Sequence, residues 1–191
     1  MTQQATPTPT PTATPTPTPG PVDGVSVGAK PVNGTVLVKQ PGTTTFVPLS
    51  PSLIKLGAEV DARKGTVEIT RSDGGVAKFY DGIFKLSQSG GYTVLTLSEK
   101  LTGCPKAKKS SASAAAKKPK TRKLWGDGKG KFRTKGRYAA ATVRGTRWLV
   151  TDTCTTTKVT VKQGSVSVRD EVRKRTVIVR KGKPYTARAR R

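Results

Sequence analysis

Short apolar runs alternate with glycine-rich turns along most of the chain after residue 33. The runs "GTVLVKQPG", "GTVEITRSDGG", "AKFYDGIFKL" and "GYTVLTLSEKL" are rich in β-branched and aromatic residues and contain or border on Gly, Asp and Pro. Strands of about five residues separated by such turns are typical of an all-β domain. Before residue 105 no sustained helical period is present. The pattern therefore predicts an all-β fold.

The strand-turn pattern also repeats within the chain. Segments 58–86 and 139–168 align so that each reads as a basic residue, Gly-Thr, a strand, a polar turn, a strand, a glycine and a further strand. Modules of this size predict either a twisted β-solenoid or a two-layer β-sandwich, because each unit buries its apolar face only against the next. The matched positions are Gly65 with Gly145, Thr66 with Thr146 and Gly82 with Gly164, with a weaker echo beginning at Gly34.

Alternation within segment 141–170 predicts which side chains form the core. Residues two positions apart in a strand point to the same face, so the apolar members of each strand lie inside and the polar ones outside. The predicted core residues are Trp148 with Val150, Val159 with Val161, and Val166 with Val168.

Two segments have compositions that cannot build a core. Residues 6–21 carry proline at nearly every second position, which favours extended polyproline II and predicts a disordered linker over residues 1–30, of the kind found in glycosylated stalks. Residues 105–123 combine Lys and Arg with Ala and Ser and contain no acid, which predicts a flexible basic insertion. The β domain is therefore predicted over residues 31–187, with a basic tail over 188–191.

Charge narrows the class of partner. Lys and Arg total 36 against 11 acidic residues, a formal net charge of +25, so the chain attracts nucleic acid, anionic cell-wall polymer or acidic lipid. The basic insertion is interpreted either as a polycation that neutralises phosphates or as a solvated loop between two strands of one sheet. The candidate anion-binding residues are Lys106, Lys108, Lys109, Lys117, Lys118, Lys120, Arg122 and Lys123.

Cys104 and Cys154 are the two cysteines of the chain. A disulfide between them would close a loop of about 50 residues, stabilise the fold by about 4 kcal/mol and indicate an oxidising compartment. The alternative is two unrelated buried thiols. The sequence has no apolar stretch of about 18 residues and no secretory signal after Met1. We therefore expect an extracytoplasmic, secreted or cell-surface chain that is the C-terminal part of a longer protein or has lost its true start.

The absence of histidine excludes most catalytic chemistry. Without histidine the chain cannot form a Ser-His-Asp or Cys-His nucleophile system or a histidine metal site, and two cysteines cannot supply a four-thiolate zinc site. Carboxylate chemistry stays open, but Asp61 and Asp152, which the repeat could bring together, are interpreted as turn or strand-edge residues. We expect no enzyme activity, no metal and no cofactor.

Most of the chain after residue 33 resembles a known family, with the clearest match in the C-terminal half. The ordered set "GKGKFRTKGRYAAATVRGTRWLV", "KVTVKQGSVSV" and "TVIVRKGKPYTA" is similar to the FecR family domain, with coverage of roughly residues 34–187. The resemblance implies an all-β module outside the cytoplasmic membrane that acts by contact and not by catalysis. The positions that carry this structural motif are Arg144, Gly145, Thr146, Trp148 and Gly164.

These observations together predict a noncatalytic, extracytoplasmic binding or structural module at the end of a Thr-Pro stalk. Its partner is expected to be an anionic cell-envelope polymer or a surface protein. One alternative is a basic nucleic-acid-binding protein that uses the insertion and the terminal "RARR". A further alternative is a fragment of a FecR-type transmembrane signalling regulator, although the chain shows no transmembrane segment.

Overall fold

The computed structural model describes residues 19–104, 120–143 and 145–190, and these form 15 β-strands. The all-β prediction is thereby confirmed, and within those ranges no helix is long and apolar enough to cross a membrane. Most of the predicted linker and of the basic insertion lies outside the described residues. The strands are β1 (Ser26–Lys39), β2 (Val47–Pro48), β3 (Ser52–Lys55), β4 (Glu59–Thr70), β5 (Val76–Tyr80), β6 (Ile83–Ser89), β7 (Tyr92–Leu97), β8 (Arg122–Gly128), β9 (Phe132–Lys135), β10 (Ala139–Val143), β11 (Thr146–Asp152), β12 (Thr156–Gln163), β13 (Ser165–Asp170), β14 (Arg175–Arg180) and β15 (Tyr185–Arg188).

All the strands belong to one sheet that branches at β4. One edge of β4 pairs with β1, whereas on its other edge residues 59–61 pair with β6 and residues 66–70 pair with β5. The first arm consists, in order across the sheet, of β6, β7, β9, β10, β13 and β14. The second arm consists of β5, β8, β11, β12 and β15. Every pair is antiparallel except β7 with β9.

The two arms face each other across the core. Phe79 of β5 packs with Phe84 of β6 and Phe132 of β9, with ring centroids 5.8 and 5.7 Å apart. Trp148 of β11 donates from Nε1 to Thr134 Oγ1 of β9 at 3.1 Å. At the far end β12 lies beside β14, so the sheet is nearly closed. Because all the ladders except that of β7 with β9 are antiparallel, the arrangement is a barrel-like sheet and not a stack of parallel coils.

The predicted core residues of segment 141–170 are confirmed. These side chains fill the space between the arms and remove apolar surface from water, which supplies most of the favourable free energy of folding. Their exposed fractions are 0% for Trp148, Val150, Val159, Val166 and Val168, and 2% for Val161.

Glycines mark the points where the chain passes between the arms, which explains the sequence repeat. At Gly65 strand β4 changes partner from β6 to β5, and a Cβ there would lie only 2.7 Å from the Asn33 carbonyl oxygen. Gly145, with φ of 71°, separates β10 of the first arm from β11 of the second. Gly82 and Gly164 make the return crossings between β5 and β6 and between β12 and β13. The sequence repeat therefore reflects the chain passing twice from one arm to the other and back.

The sheet extends past two of the predicted boundaries. Strand β1 begins at Ser26 and Val27 is fully buried, so the fold starts before residue 31. At the other predicted junction Arg122 and Lys123 are part of β8 and not of a flexible insertion. The physical reason is that both segments pair with interior strands, a long-range effect that local composition does not reveal.

The predicted disulfide is confirmed. Cys104 and Cys154 are bonded with an S–S distance of 2.15 Å and a Cα–Cα distance of 5.3 Å. The bond joins the segment after β7 to the turn between β11 and β12, where the Tyr138 hydroxyl donates to the Cys154 carbonyl oxygen at 2.8 Å. A structural disulfide of this kind indicates an oxidising environment outside the cytoplasm.

Candidate polyanion-binding face

The outer face of the first arm carries a row of residues that are paired in register. Directly paired residues point to the same side of a sheet, so the row crosses six neighbouring strands on one face. Its members, in strand order, are Lys85, Thr96, Lys135, Ala140, Arg169 and Thr176.

Cations alternate with small side chains along this row. Lys85, Lys135 and Arg169 are exposed and occupy every second strand, and among the described residues none of them is in an ion pair. Since neighbouring strands lie about 4.8 Å apart, the positive charges recur about every 10 Å. Thr96 and Ala140 between them are too short to cover the charged groups. The row is therefore a line of solvent-exposed positive charges across the sheet.

Arg133 lies in the adjacent row and is held in place by neutral groups. Its Nε donates to Thr142 Oγ1 at 3.0 Å, and its guanidinium carbon lies 4.5 Å from the centroid of the Tyr92 ring. A stacked guanidinium keeps its charge and still presents donors to a ligand. Arg133 is thus oriented without being neutralised. On β14, Arg180 extends the positive surface and pairs in register with Ser165.

Hydroxyl groups lie beside these cations. A groove on the same face is lined by Ser87, Ser89 and Thr96 together with Arg133 and Lys135, and Glu171 lies at its edge. Hydroxyl, ammonium and guanidinium groups all donate hydrogen bonds to phosphate or carboxylate oxygens, and the charged donors form the stronger bonds. The face can therefore bind oxyanions by direct contact.

Two acids lie at the borders of the face. Glu59 pairs with Lys39 Nζ at 2.6 Å. Burial raises the pKa of Glu59, but the ion pair with Lys39 and the positive charge of Lys85 outweigh that effect and hold the pKa below its usual value. Glu171 lies 3.9 Å from Lys174 Nζ. Both carboxylates have cations of their own, so the face keeps a net positive charge.

The structure describes three of the eight predicted anion-binding residues, and none of the three belongs to this row. Lys120 Nζ lies 2.7 Å from Glu99, and Lys123, on β8 of the second arm, pairs with Asp81. Each of these cations already has an acidic partner. The positions that fall outside the described residues are Lys106, Lys108, Lys109, Lys117 and Lys118.

Arg122, the remaining predicted residue, has a buried partner. Its guanidinium contacts Asp152, a fully buried carboxylate that also accepts hydrogen bonds from the Thr157 hydroxyl and the Arg137 backbone N–H. Asp61, the other carboxylate considered for catalysis, lies 2.6 Å from the Arg63 guanidinium. Burial raises the pKa of Asp61, but hydrogen bonds from Arg63 outweigh it and lower the pKa. Both carboxylates therefore lie in ion pairs with arginine.

The positions that carried the family resemblance have structural places in the fold. Trp148 fills the core, while Gly145 and Gly164 mark crossings between the arms. Thr146 begins β11, and Arg144 lies outside the described residues. No family model, curated protein or solved structure matches the chain. The resemblance to the FecR family domain therefore stays a prediction.

Sequence reasoning missed the cationic face because its members are far apart in the chain. Alternation in "FRTK" and "SVSVRD" does place Arg133, Lys135 and Arg169 on outward positions. However, the grouping depends on the parallel pairing of β7 with β9 and on the pairing of β10 with β13. No local signal fixes those pairings.

Proposed function

We propose that this chain is a noncatalytic, extracytoplasmic binding module that holds an anionic polymer of the cell envelope on the outer face of the first arm. The observation that carries the proposal is the row of Lys85, Lys135 and Arg169, which is open to solvent. The acid beside it, Glu59, pairs in register with Lys85 and is in an ion pair with Lys39. Arg133 adds a fixed guanidinium beside the row.

The shape of this face favours a polymer over a small anion. The cations are spread across six strands and do not converge on a pocket, so a single phosphate or carboxylate would contact only one or two of them. A chain with repeated negative charges would contact several at once. Such contacts are individually weak at a solvated surface but act together when the ligand is multivalent.

Two features support a location outside the cytoplasm. The Cys104–Cys154 disulfide is of a kind that persists in oxidising compartments. The Thr-Pro repeat at 6–21 has the composition of an extracellular stalk. The FecR resemblance implies the same location. An envelope polymer that carries phosphate or carboxylate groups is therefore favoured over nucleic acid as the partner.

The experiment compares two double variants of equal charge change. Lys135→Gln with Arg169→Gln removes cations from the proposed face, and Lys158→Gln with Lys162→Gln removes exposed cations from the outer face of β12. Retention is measured on purified anionic wall polymer at fixed ionic strength. We expect the first variant to bind about tenfold more weakly and the second to stay within about twofold of the parent.

Three outcomes would contradict the proposal. Equal losses in both double variants would mean that net charge alone drives binding. No retention of the parent on wall polymer would remove the ligand class. Equal retention on wall polymer and on single-stranded DNA at matched salt would mean that the charge is unselective and that the proposed partner class is wrong.

A further inference from the structure

The outer face of the second arm carries an aromatic pair. Tyr80 of β5 and Trp125 of β8 are register partners, with ring planes at 8° and centroids 6.0 Å apart. Leu149 of β11 pairs with Trp125 and continues the same row. All three side chains are half-buried. The row ends in hydroxyl-bearing residues, Thr66 beside Tyr80 and Thr160 beside Leu149. It is thus an apolar strip with polar ends, in which the rings of Tyr80 and Trp125 are stacked.

Charges beside this strip alternate in sign. The adjacent row on the same face reads cation, acid, cation, acid, cation across five strands, and Arg147 lies 3.0 Å from Asp127. On the other side of the strip Lys123 pairs with Asp81. The alternating row consists of Lys30, Glu68, Lys78, Asp127 and Arg147.

This balance is unlike the rest of the molecule. The chain has 36 basic residues and only 11 acids, yet three of those acids, Glu68, Asp81 and Asp127, surround one aromatic pair. The neighbouring cations slightly outnumber these acids, four to three, so the charges around the strip nearly cancel. A strip with so little net charge favours a neutral ligand over a polyanion or a polycation.

The chemistry of the strip further restricts the ligand. Within the described residues neither the Tyr80 hydroxyl nor the Trp125 indole N–H makes a hydrogen bond, so each ring has an apolar body and a polar tip that is available to a ligand. Desolvation raises the pKa of Tyr80, and its phenol is neutral at physiological pH. A wholly apolar ligand would cover the polar groups of Asp127 and Arg147. These groups would lose the hydrogen bonds that they make to water and gain none from the ligand, which is unfavourable. The ligand must combine an apolar face with polar edges.

We propose that Tyr80, Trp125 and Leu149 form a platform for a neutral saccharide chain. The pyranose ring has a face of C–H groups that can pack on the aromatic rings and an edge of hydroxyls that can donate to Asp127 and accept from Arg147. This site is distinct from the cationic face of the first arm. A domain with both faces occupied would link a neutral glycan to an anionic polymer, and each contact would raise the effective concentration of the other.

The test is calorimetric titration of the protein with neutral hexasaccharides of β-1,4-linked glucose, N-acetylglucosamine, mannose and xylose. We expect at least one to bind the parent, and Trp125→Ala and Tyr80→Ala each to weaken that binding about tenfold. Trp125→Phe keeps an aromatic face and should stay within about threefold. Lys135→Gln with Arg169→Gln should leave sugar affinity unchanged, because those residues lie on the other arm. Near-ultraviolet circular dichroism establishes that each variant is folded.

The proposal is overturned if none of the four hexasaccharides binds at about 5 mM. It is equally overturned if a sugar binds the parent and all folded variants with the same affinity, since the platform would then not be its site. Oligothymidylate and a Thr-Pro peptide serve as competing probes. Binding of either that is lost in Trp125→Ala, without any sugar binding, would assign the strip to a nucleobase or a peptide instead.

Discussion

Arg122 and Asp152 form an ion pair in which the carboxylate is fully buried, with Arg122 Nε and Nη2 at 3.0 and 2.9 Å from one Asp152 oxygen. The other oxygen accepts from the Thr157 hydroxyl. Arg122 also donates to the Glu99 carbonyl oxygen at 3.1 Å. The pair therefore ties the start of β8 to the end of β11 and to the segment that follows β7. Composition assigns Arg122 to a flexible insertion, but its guanidinium holds these three segments of the fold together.

Substitution of Arg122 by Met should destabilise the fold severely. The change leaves the Asp152 carboxylate buried without its cation, and breaking such a pair from one side costs about 3–5 kcal/mol. The free energy of unfolding in urea measures this. Lys123→Met is the matched control, because Lys123 and Asp81 are largely exposed and a surface pair contributes at most about 1 kcal/mol. Equal losses in the two variants would contradict the structural role of Arg122.

Gly126→Ala should also destabilise the protein, for reasons of packing. A Cβ at Gly126 would run into the indole ring of Trp148, which is fixed in the core by its bond to Thr134. Forced overpacking of this kind costs about 1–3 kcal/mol. Gly20→Ala is the control, since nothing lies within 4 Å of a Cβ built there. Unfolding midpoints that match in the two variants would mean that the indole has room to move.

Loss of the disulfide should lower the free energy of unfolding by about 4 kcal/mol, as the chain-entropy model gives for a loop of 50 residues. The measurement is urea unfolding of Cys104→Ser with Cys154→Ser against the parent. Reduction of the parent by dithiothreitol should give the same shift, whereas the double variant should not respond to the reductant. An unchanged unfolding midpoint in the double variant would show that the bond does not stabilise the domain.

Local pattern and long-range pairing account for different parts of this fold. Alternation alone places Trp148 and Val150 in the core, and the match of Gly65 with Gly145 shows the repeat, because both signals are local patterns in the sequence. The structure adds that these glycines mark crossings between the arms. The partner of Arg122 and the neighbours of Lys135 depend instead on strands that are far apart in the chain. The lysine-rich composition of the insertion predicts a binding site within that one segment. The exposed cations of the first arm lie together instead because their strands pair in register.

Acid stability should depend on Tyr185. Burial raises the pKa of Asp170, but hydrogen bonds from the Arg173 N–H, the Tyr185 hydroxyl and the Val172 N–H outweigh it and lower the pKa. A carboxyl with a lowered pKa in the folded state contributes stability above its unfolded pKa of about 4, and this contribution is lost as the pH falls through the folded pKa. Tyr185→Phe removes one of these bonds, so the folded pKa rises towards its ordinary value.

The variant should therefore be less stable than the parent at neutral pH, and the difference that arises from this linkage should disappear at a pH below the folded pKa of Asp170. Urea unfolding at a series of pH values from neutral to acid measures the difference. Phe at position 185 keeps the ring that packs against the core, so the change isolates the hydroxyl. A loss of stability that is the same at every pH would mean that packing and not the Asp170 carboxylate is responsible.

The salt dependence of polyanion binding should report which cations take part. Each cation that contacts the polymer releases counterions, so the logarithm of the binding constant falls linearly with the logarithm of salt concentration. Removal of Lys135 and Arg169, by Lys135→Gln with Arg169→Gln, should reduce that slope by about two. Lys158→Gln with Lys162→Gln carries the same charge change on another surface and should leave the slope as in the parent. If both double variants reduce the slope equally, the polymer contacts the whole molecule and the register-paired row has no special part in binding.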